Sequence, residues 1–498
     1  FYQEGDDVVF HNCDASFVEV WGVSPGSMLV DNSAGNPYTF DTYSSGRIYG
    51  NMNLTKRGEG DLIIRCDCTY EGDTFIYGGT TCIDDKFRPS KFGDEEPVWL
   101  GHGDIFLYGG RLRLSSMNDN VHFANDIYVR GEASLDCKNL EGSLTVQNTG
   151  KLTLDNALNG RGGNLILQDG AMVNVGGYSV KNYGGTGTEG LIKVDGNATL
   201  GNGEICKCIL NVAAGKTLTL LANTFATSGT NFNLGEGATL DLGGNSVNFV
   251  DTTVSSSGDG GYLGHGTIEG DLTVTSGSRI NLLENTTITG GVNLGDNASL
   301  DLGKNAVTGA VSLAGSATIG NGAINGDMAV AEGKSLALLE NTTITGSITL
   351  NNPSSLDLGG NTFHIGGMDG NRLILNGNIS VVGNGTLNGE LAVNAEQTLT
   401  LCGNLDGTGA VSLAENATLN LGGYALTKAV TLAGNATIGN GTINTDLTVA
   451  AGKSLSLLEN TAVTGAVTLA DTSSLNLGGN TLTKAVTLAG NATIGNGT

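Results

Sequence analysis

Positive charge, proline and aromatic residues are all scarce in this chain, and the shortages exclude whole classes of protein. Lys and Arg number 24 against 49 Asp and Glu, a formal charge of −25. Nucleic-acid phosphates must be neutralised by cationic side chains, so nucleic acid is not an expected partner, and anionic lipid is disfavoured for the same reason. Only 15% of residues are charged while aliphatics are plentiful, the reverse of the composition that keeps a chain disordered. No apolar run approaches the ~20 residues of a membrane-crossing helix. Aromatics make up 5% and proline occurs 5 times, so turns must come from the 80 glycines and from Asn.

What the chain does have is repetition. Residues 426–442 read LTKAVTLAGNATIGNGT, and residues 482–498 read the same letters 56 positions later. Asn202, His265, Asn321, Asn384, Asn440 and Asn496 occupy one equivalent place, each followed by Gly, at spacings of 63, 56, 63, 56 and 56. The motif LLEN-T recurs at Leu282–Thr286, Leu338–Thr342 and Leu457–Thr461. A fixed period of this kind marks a stacked array. The chain opens at Phe1, not at Met, and stops partway through a repeat. It is expected to be a processed or excised fragment, continued after Thr498 by residues like Ile443–Leu447.

Inside the long repeat lie shorter units. DLTVAAGKSLSLLENTAVTG and AVTLADTSSLNLGGNTLTK each hold an apolar-polar-apolar triplet, a turn, a second such triplet, a Gly/Asn turn and a final short segment. Side chains alternate faces along a strand, so this pattern predicts half-buried strands, three to a coil of about 17–21 residues. Leu457, Leu469 and Leu477 are expected inside, with Thr468 and Asn476 outside. A lone coil buries too few side chains to offset the entropy of fixing its backbone, so coils must stack. The fold class is all-β: a right-handed, single-stranded parallel β-helix. Asn side chains could bond in ladders, but members of the turn series sit three coils apart, so any ladder must join different motifs.

Three segments are expected: an N-terminal β-helical segment at 1–135, transitional coils at 136–200, and a regular β-helix at 201–498. The first two carry both Trp residues and every Pro except Pro353. IDDKFRPSKFGDEEPVW, residues 83–99, breaks the alternation and is expected to project as a loop, a common place for recognition on rigid scaffolds.

Residues 53–83, NLTKRGEGDLIIRCDCTYEGDTFIYGGTTCI, resemble the autotransporter-associated β-strand repeat. Leu54-Thr55-Lys56, Gly58, Gly60, Leu62, Ile64, Thr69-Tyr70, Gly72, Thr74 and Ile76 fit its pattern, and the match covers roughly residues 1–85. The resemblance implies a secreted passenger of a Gram-negative bacterium, exported across the outer membrane and displayed at the cell surface. The family pattern brings no catalytic residue with it. Such passengers are poor in cysteine, whereas this chain has 8.

An even cysteine count in a secreted protein suggests disulfides. Stacked coils bring equivalent positions within bridging distance, so Cys82 could pair with Cys66 or Cys68. Cys402 stands alone and is expected to be a buried thiol. Cys-x-Cys at 66/68 and 206/208 lacks the second pair or nearby His of a zinc site, and the five His share no spacing. Asp241, Asp301 and Asp357 point outward in LDLG but lie three coils apart, and Asn420 and Asn476 replace them later. Glu284, Glu340 and Glu459 are spread in the same way. These are too distant for shared acid–base work. No catalytic residue, metal site or cofactor is expected.

The reading is a non-catalytic adhesin or structural stalk at the bacterial surface, with glycans or proteins as partners. One alternative is a β-helix enzyme or binding module for polysaccharide, placed within 83–135 and marked by carboxylates and aromatics on one face. Another is a self-associating protein for cell–cell aggregation.

Overall fold

Alternation decides where each side chain points. In Leu447–Val449 and Val467–Leu469 the outer residues are buried and the central Thr is exposed. Leu457, Leu469 and Leu477 are inside, and Thr468 and Asn476 outside, as the alternation predicts. The computed structural model describes every residue except 1, 15, 43–45, 85–98, 115–122, 161, 183–189, 228, 341, 345, 352–353, 360–361, 366–371, 377–379 and 384. Among the described residues there is no helix, and parallel strands stack as a β-solenoid of about 21 turns. The chain divides into two compact units: Phe1–Thr252 with Ser257–Gly261, and Thr253–Ser256 with Tyr262–Thr498.

In the second unit, Leu447–Val449, Ser454–Leu457 and Thr461–Val463 run around one coil. The first two stack on Val467–Leu469 and Ser474–Asn476, and the third on Gly441–Ile443. Aliphatics fill the interior because every inward position meets its equivalent in the next coil.

In the first unit, Leu54–Arg57, Thr74–Ile76, Ile105–Arg113, Ile127–Asp136 and Leu144–Val146 form one ladder. The step from Asn53 to Asp73 is 20 residues, that from Asp73 to Asp104 is 31, and that from Asp126 to Ser143 is 17. The long step contains the loop expected at 83–99, of which residues 85–98 lie outside the described residues. Its two ends belong to the core: Ile83 closes a strand over Ile64, and both Ile83 and Trp99 are buried.

Two lysines sit inside the solenoid, and the alternation explains how. In Leu54-Thr55-Lys56 and Leu426-Thr427-Lys428 the Leu is inward and the Thr is not, so the Lys is inward again. An ammonium without partners could not remain there. Lys56 Nζ donates to the carbonyls of Arg57 (2.6 Å), Gly58 (2.9 Å) and Gly78 (3.3 Å). Lys428 Nζ donates to Leu387 O (2.7 Å), Gly389 O (3.1 Å) and Thr408 O. Each ammonium therefore ties backbone of more than one coil together. Burial pulls both amines down to about 8, which leaves them mostly protonated at neutral pH.

Lys428→Met should destabilise the second unit by about 1–3 kcal/mol, because buried carbonyls lose their donor. In the unfolded chain the amine titrates near its ordinary value of 10.5. Between about 8 and that value the unfolded chain holds more protons, so the lysine's contribution to stability rises with pH there and is constant below. Guanidinium unfolding of wild type and variant at a series of pH values should show the gap widening above pH 8. A gap that stays constant would mean that the carbonyls hold the ammonium charged.

Candidate functional site

The repeated polar motifs are taken up by the turns. Asn202, His265, Asn321, Asn440 and Asn496 all have left-handed backbone, with φ of 62°, 59°, 59°, 59° and 59°; Asn384 lies outside the described residues. Asn tolerates this region better than other side-chain-bearing residues do. Four of these Asn side chains donate to the coil before: Asn202 to Asn174, Asn321 to Asp301, Asn440 to Asn420 and Asn496 to Asn476, each at 2.9 Å. The ladder joins different motifs.

The acceptors also close their own turns. Asp301 Oδ1 takes the Gly303 N–H at 2.8 Å, and Asn420 and Asn476 take those of Gly422 and Gly478 at 3.0 Å. Asp241 and Asp357 do the same for Gly243 and Gly359. Only an Oδ1 is needed, which is why Asp and Asn interchange here. The LLEN-T motif is equally occupied: Thr461 Oγ1 donates to Leu458 O (2.6 Å) and accepts the Asn440 N–H (2.9 Å). Thr286 repeats this with Leu283 and His265.

None of the eight cysteines is joined in a disulfide. Cys82 stacks between Ile63 and Arg113, and Cys68 stacks on Ile48. The register therefore sets Cys82 beside neither Cys66 nor Cys68, both of which are buried. Cys402, expected inside, is exposed: Leu399 and Leu401 take the inward positions, and Cys402 follows on the outside. Among the described residues, no three of His, Cys, Asp and Glu are grouped as a metal would require.

One surface in the first unit is not explained by turn chemistry. Residues 73–77 read DTFIY, 104–108 DIFLY and 126–130 DIYVR. Thr74, Ile76, Ile105, Leu107, Ile127 and Val129 are buried, so the odd members of each run face outward. Phe75, Phe106 and Tyr128 are in register on successive coils. Their rings stack at 5.3 and 5.2 Å between centroids, with interplanar angles of 12° and 18°. Beside them Tyr77 and Tyr108 stack at 4.6 Å and 8°. Arg57 lies 5.2 Å from the Tyr77 ring centroid, and Arg130 lies 4.5 Å from that of Phe106 and 5.6 Å from that of Tyr108. Arg130 also donates to Tyr108 Oη at 2.7 Å and to Gln147.

A column of carboxylates borders the rings. Asn53 Oδ1 accepts the Asp73 N–H (2.8 Å), Asp73 Oδ1 that of Asp104 (3.0 Å), and Asp126 Oδ1 that of Ser143 (2.6 Å). Burial, then the Asp126 and Asp73 charges, raises the Asp104 carboxyl above its ordinary value. Burial and the carboxylates of Asp104 and Asp126 likewise raise the Tyr128 phenol, against the opposing pull of Arg130. The face thus offers ring edges, phenol hydroxyls and carboxylate oxygens in three parallel columns. Its signal was in the sequence as the pattern D-x-aromatic-x-(Tyr or Arg), repeated at steps too unequal to match the long period. No protein-family model matches the chain, and no curated protein does.

Thr461→Val keeps shape but removes both hydroxyl bonds, and should cost about 1–3 kcal/mol. Thr468→Val, on the exposed centre of a strand, should change stability by less than about 0.5 kcal/mol. Equal effects in thermal melts of the two variants would show that the turn network is not what holds the coil.

Proposed function

We propose that the chain is the passenger of an autotransporter-like surface protein of a Gram-negative bacterium, acting outside the cell as an adhesin on a non-catalytic stalk. The observation that carries this is the outward face built from Asp73, Phe75, Tyr77, Asp104, Phe106, Tyr108, Asp126, Tyr128 and Arg130, of which Tyr77 and Arg130 are exposed and the rest half-buried. Elsewhere the repeated Asn, Asp and Thr are occupied in holding turns. Aromatic and Arg side chains dominate binding energy at recognition surfaces, and in a chain with 5% aromatics their gathering on adjacent coils favours a contact role. The sequence resemblance over residues 1–85 supports the export and surface location. Lys56 gives the Leu-Thr-Lys of that pattern a physical role, since its inward amine bonds backbone on two coils.

Beads coated with the wild-type protein should adhere to target cells, and the variant Tyr77→Ser with Tyr108→Ser should lose most of that adhesion while keeping its circular dichroism and melting profile. Undiminished adhesion by the folded variant would remove this face as the recognition surface.

A second reading is a polysaccharide-cleaving enzyme, favoured by Asp104 beside Asp126. Stacked coils put the backbones that carry these carboxyls about 4.8 Å apart, against about 5–5.5 Å between the carboxyls of a retaining glycosidase pair, and burial moves the Asp104 carboxyl upward, the direction a general acid needs. Against it, Asp73 and Asp126 are engaged by backbone N–H groups. Incubating end-labelled oligosaccharides with wild type and Asp104→Asn separates the two readings: the adhesin reading expects no shortening with either, and shortening by wild type alone would establish the enzyme.

A further inference from the structure

We infer that the face from Asp73 to Arg130 takes an extended glycan chain lying along the stack of coils, and that the chain it prefers is neutral or amino-substituted, not acidic. This rests on the adhesin reading and names its ligand. The first argument is periodicity. The three columns repeat the same chemistry from coil to coil, carboxylate, then ring, then Tyr or Arg, with a step of about 4.8 Å. An extended β-linked pyranose chain also repeats its hydroxyls and its apolar C–H edges at a step of comparable length. Among protein partners only one built of stacked strands, such as a second copy of this chain, carries a matching period, and that copy brings the same Asp column and a formal charge of −25, which opposes association.

The second argument is which groups are left to bind. The cations are committed to the rings: Arg57 covers Tyr77, while Arg130 covers Phe106 and Tyr108 and donates to Tyr108 Oη and Gln147. The carboxylates of Asp73 and Asp126 each give one Oδ1 to a backbone N–H, and a carboxylate has a second oxygen to offer. A ligand meeting this face therefore finds acceptors for hydroxyls or ammonium groups along one edge, and along the middle ring edges whose partial positive charge suits sugar oxygens. Uronic or sulfated chains would meet the Asp column and a chain of formal charge −25. Like charges brought together at an interface are strongly disfavoured.

Titration calorimetry on the full chain tests this with three probes: a β-1,4-linked glucosamine hexamer, its fully N-acetylated counterpart, and a galacturonate hexamer. The glucosamine hexamer should bind best and weaken as salt is raised, the acetylated hexamer should bind more weakly and without salt dependence, and the galacturonate should not bind. Asp104→Asn with Asp126→Asn should weaken the glucosamine hexamer at least about tenfold while leaving the acetylated one within about twofold. Asn is tolerated in this column, because Asn53 already fills the same ladder role. Tyr77→Ser with Tyr108→Ser should weaken both. Galacturonate binding as well as glucosamine, or affinity unchanged in the Asp pair variant, would overturn the charge preference while leaving the adhesin reading intact. Failure of all three hexamers, with cell adhesion still lost in the tyrosine variant, would mean that the face binds a protein and would overturn the glycan inference alone.

Discussion

Every coil depends on the coils beside it for its backbone hydrogen bonds. Parallel strands of three or four residues cannot pair within their own coil, so each N–H and C=O of the ladder is satisfied from above or below. This makes register the constraint from which the other features follow. A shift of one residue would turn the aliphatics outward and the Thr and Asn inward. The turns must therefore hold the register wherever the ladder is interrupted. They do so with side chains that imitate the backbone: Asp and Asn oxygens accept N–H groups of their own turn, and the amides of the following coil donate back to them.

The same constraint explains why side chains occur in columns. Residues stacked about 4.8 Å apart cannot ignore one another, so each column has to be chemically compatible with itself. Arg65 lies between Asp41, at 3.6 Å, and Asp84, at 3.0 Å, and so interleaves opposite charge. Amides pair with amides, as Asn233 does with Asn211 at 2.8 Å. Aromatic rings stack face against face. A column of like carboxylates is the costly case, and Asp73, Asp104 and Asp126 form one. Backbone N–H groups bond to the carboxylates of Asp73 and Asp126, while at Asp104 burial, and after it the charges of Asp126 and Asp73, raise the carboxyl.

Much of this was readable in the sequence because the period-2 alternation and the 56-residue repeat are local signals. The inward Leu457, Leu469 and Leu477 and the turn role of Asn440 and Asn496 follow from letters a few positions apart. Features that depend on which residue lies above which were not readable in advance. Cys82 meets Ile63 and Arg113 because the register between those coils is set by the flanking strands, and cysteine spacing carries no record of it. Cys402 lies outside because Leu399 and Leu401 claim the two inward positions before it. The buried Lys56 and Lys428 obey the alternation, yet expecting a lysine inside requires knowing that several carbonyls converge on its amine.

The candidate face shows the same limit from the other side. DTFIY, DIFLY and DIYVR are alike, but they are separated by unequal steps, one of them 31 residues long. A search for a fixed period passes over them, whereas stacking erases the difference, because strands that pair in register are neighbours whatever the number of residues between them. In a β-solenoid, recognition surfaces can therefore be assembled from short segments at irregular intervals, provided that each begins at the same point of its coil. The regular repeats are where the turn networks are most uniform. In the irregular first unit large rings replace the Thr and Ser of those repeats, and ring stacking and Arg130 hold the columns there instead.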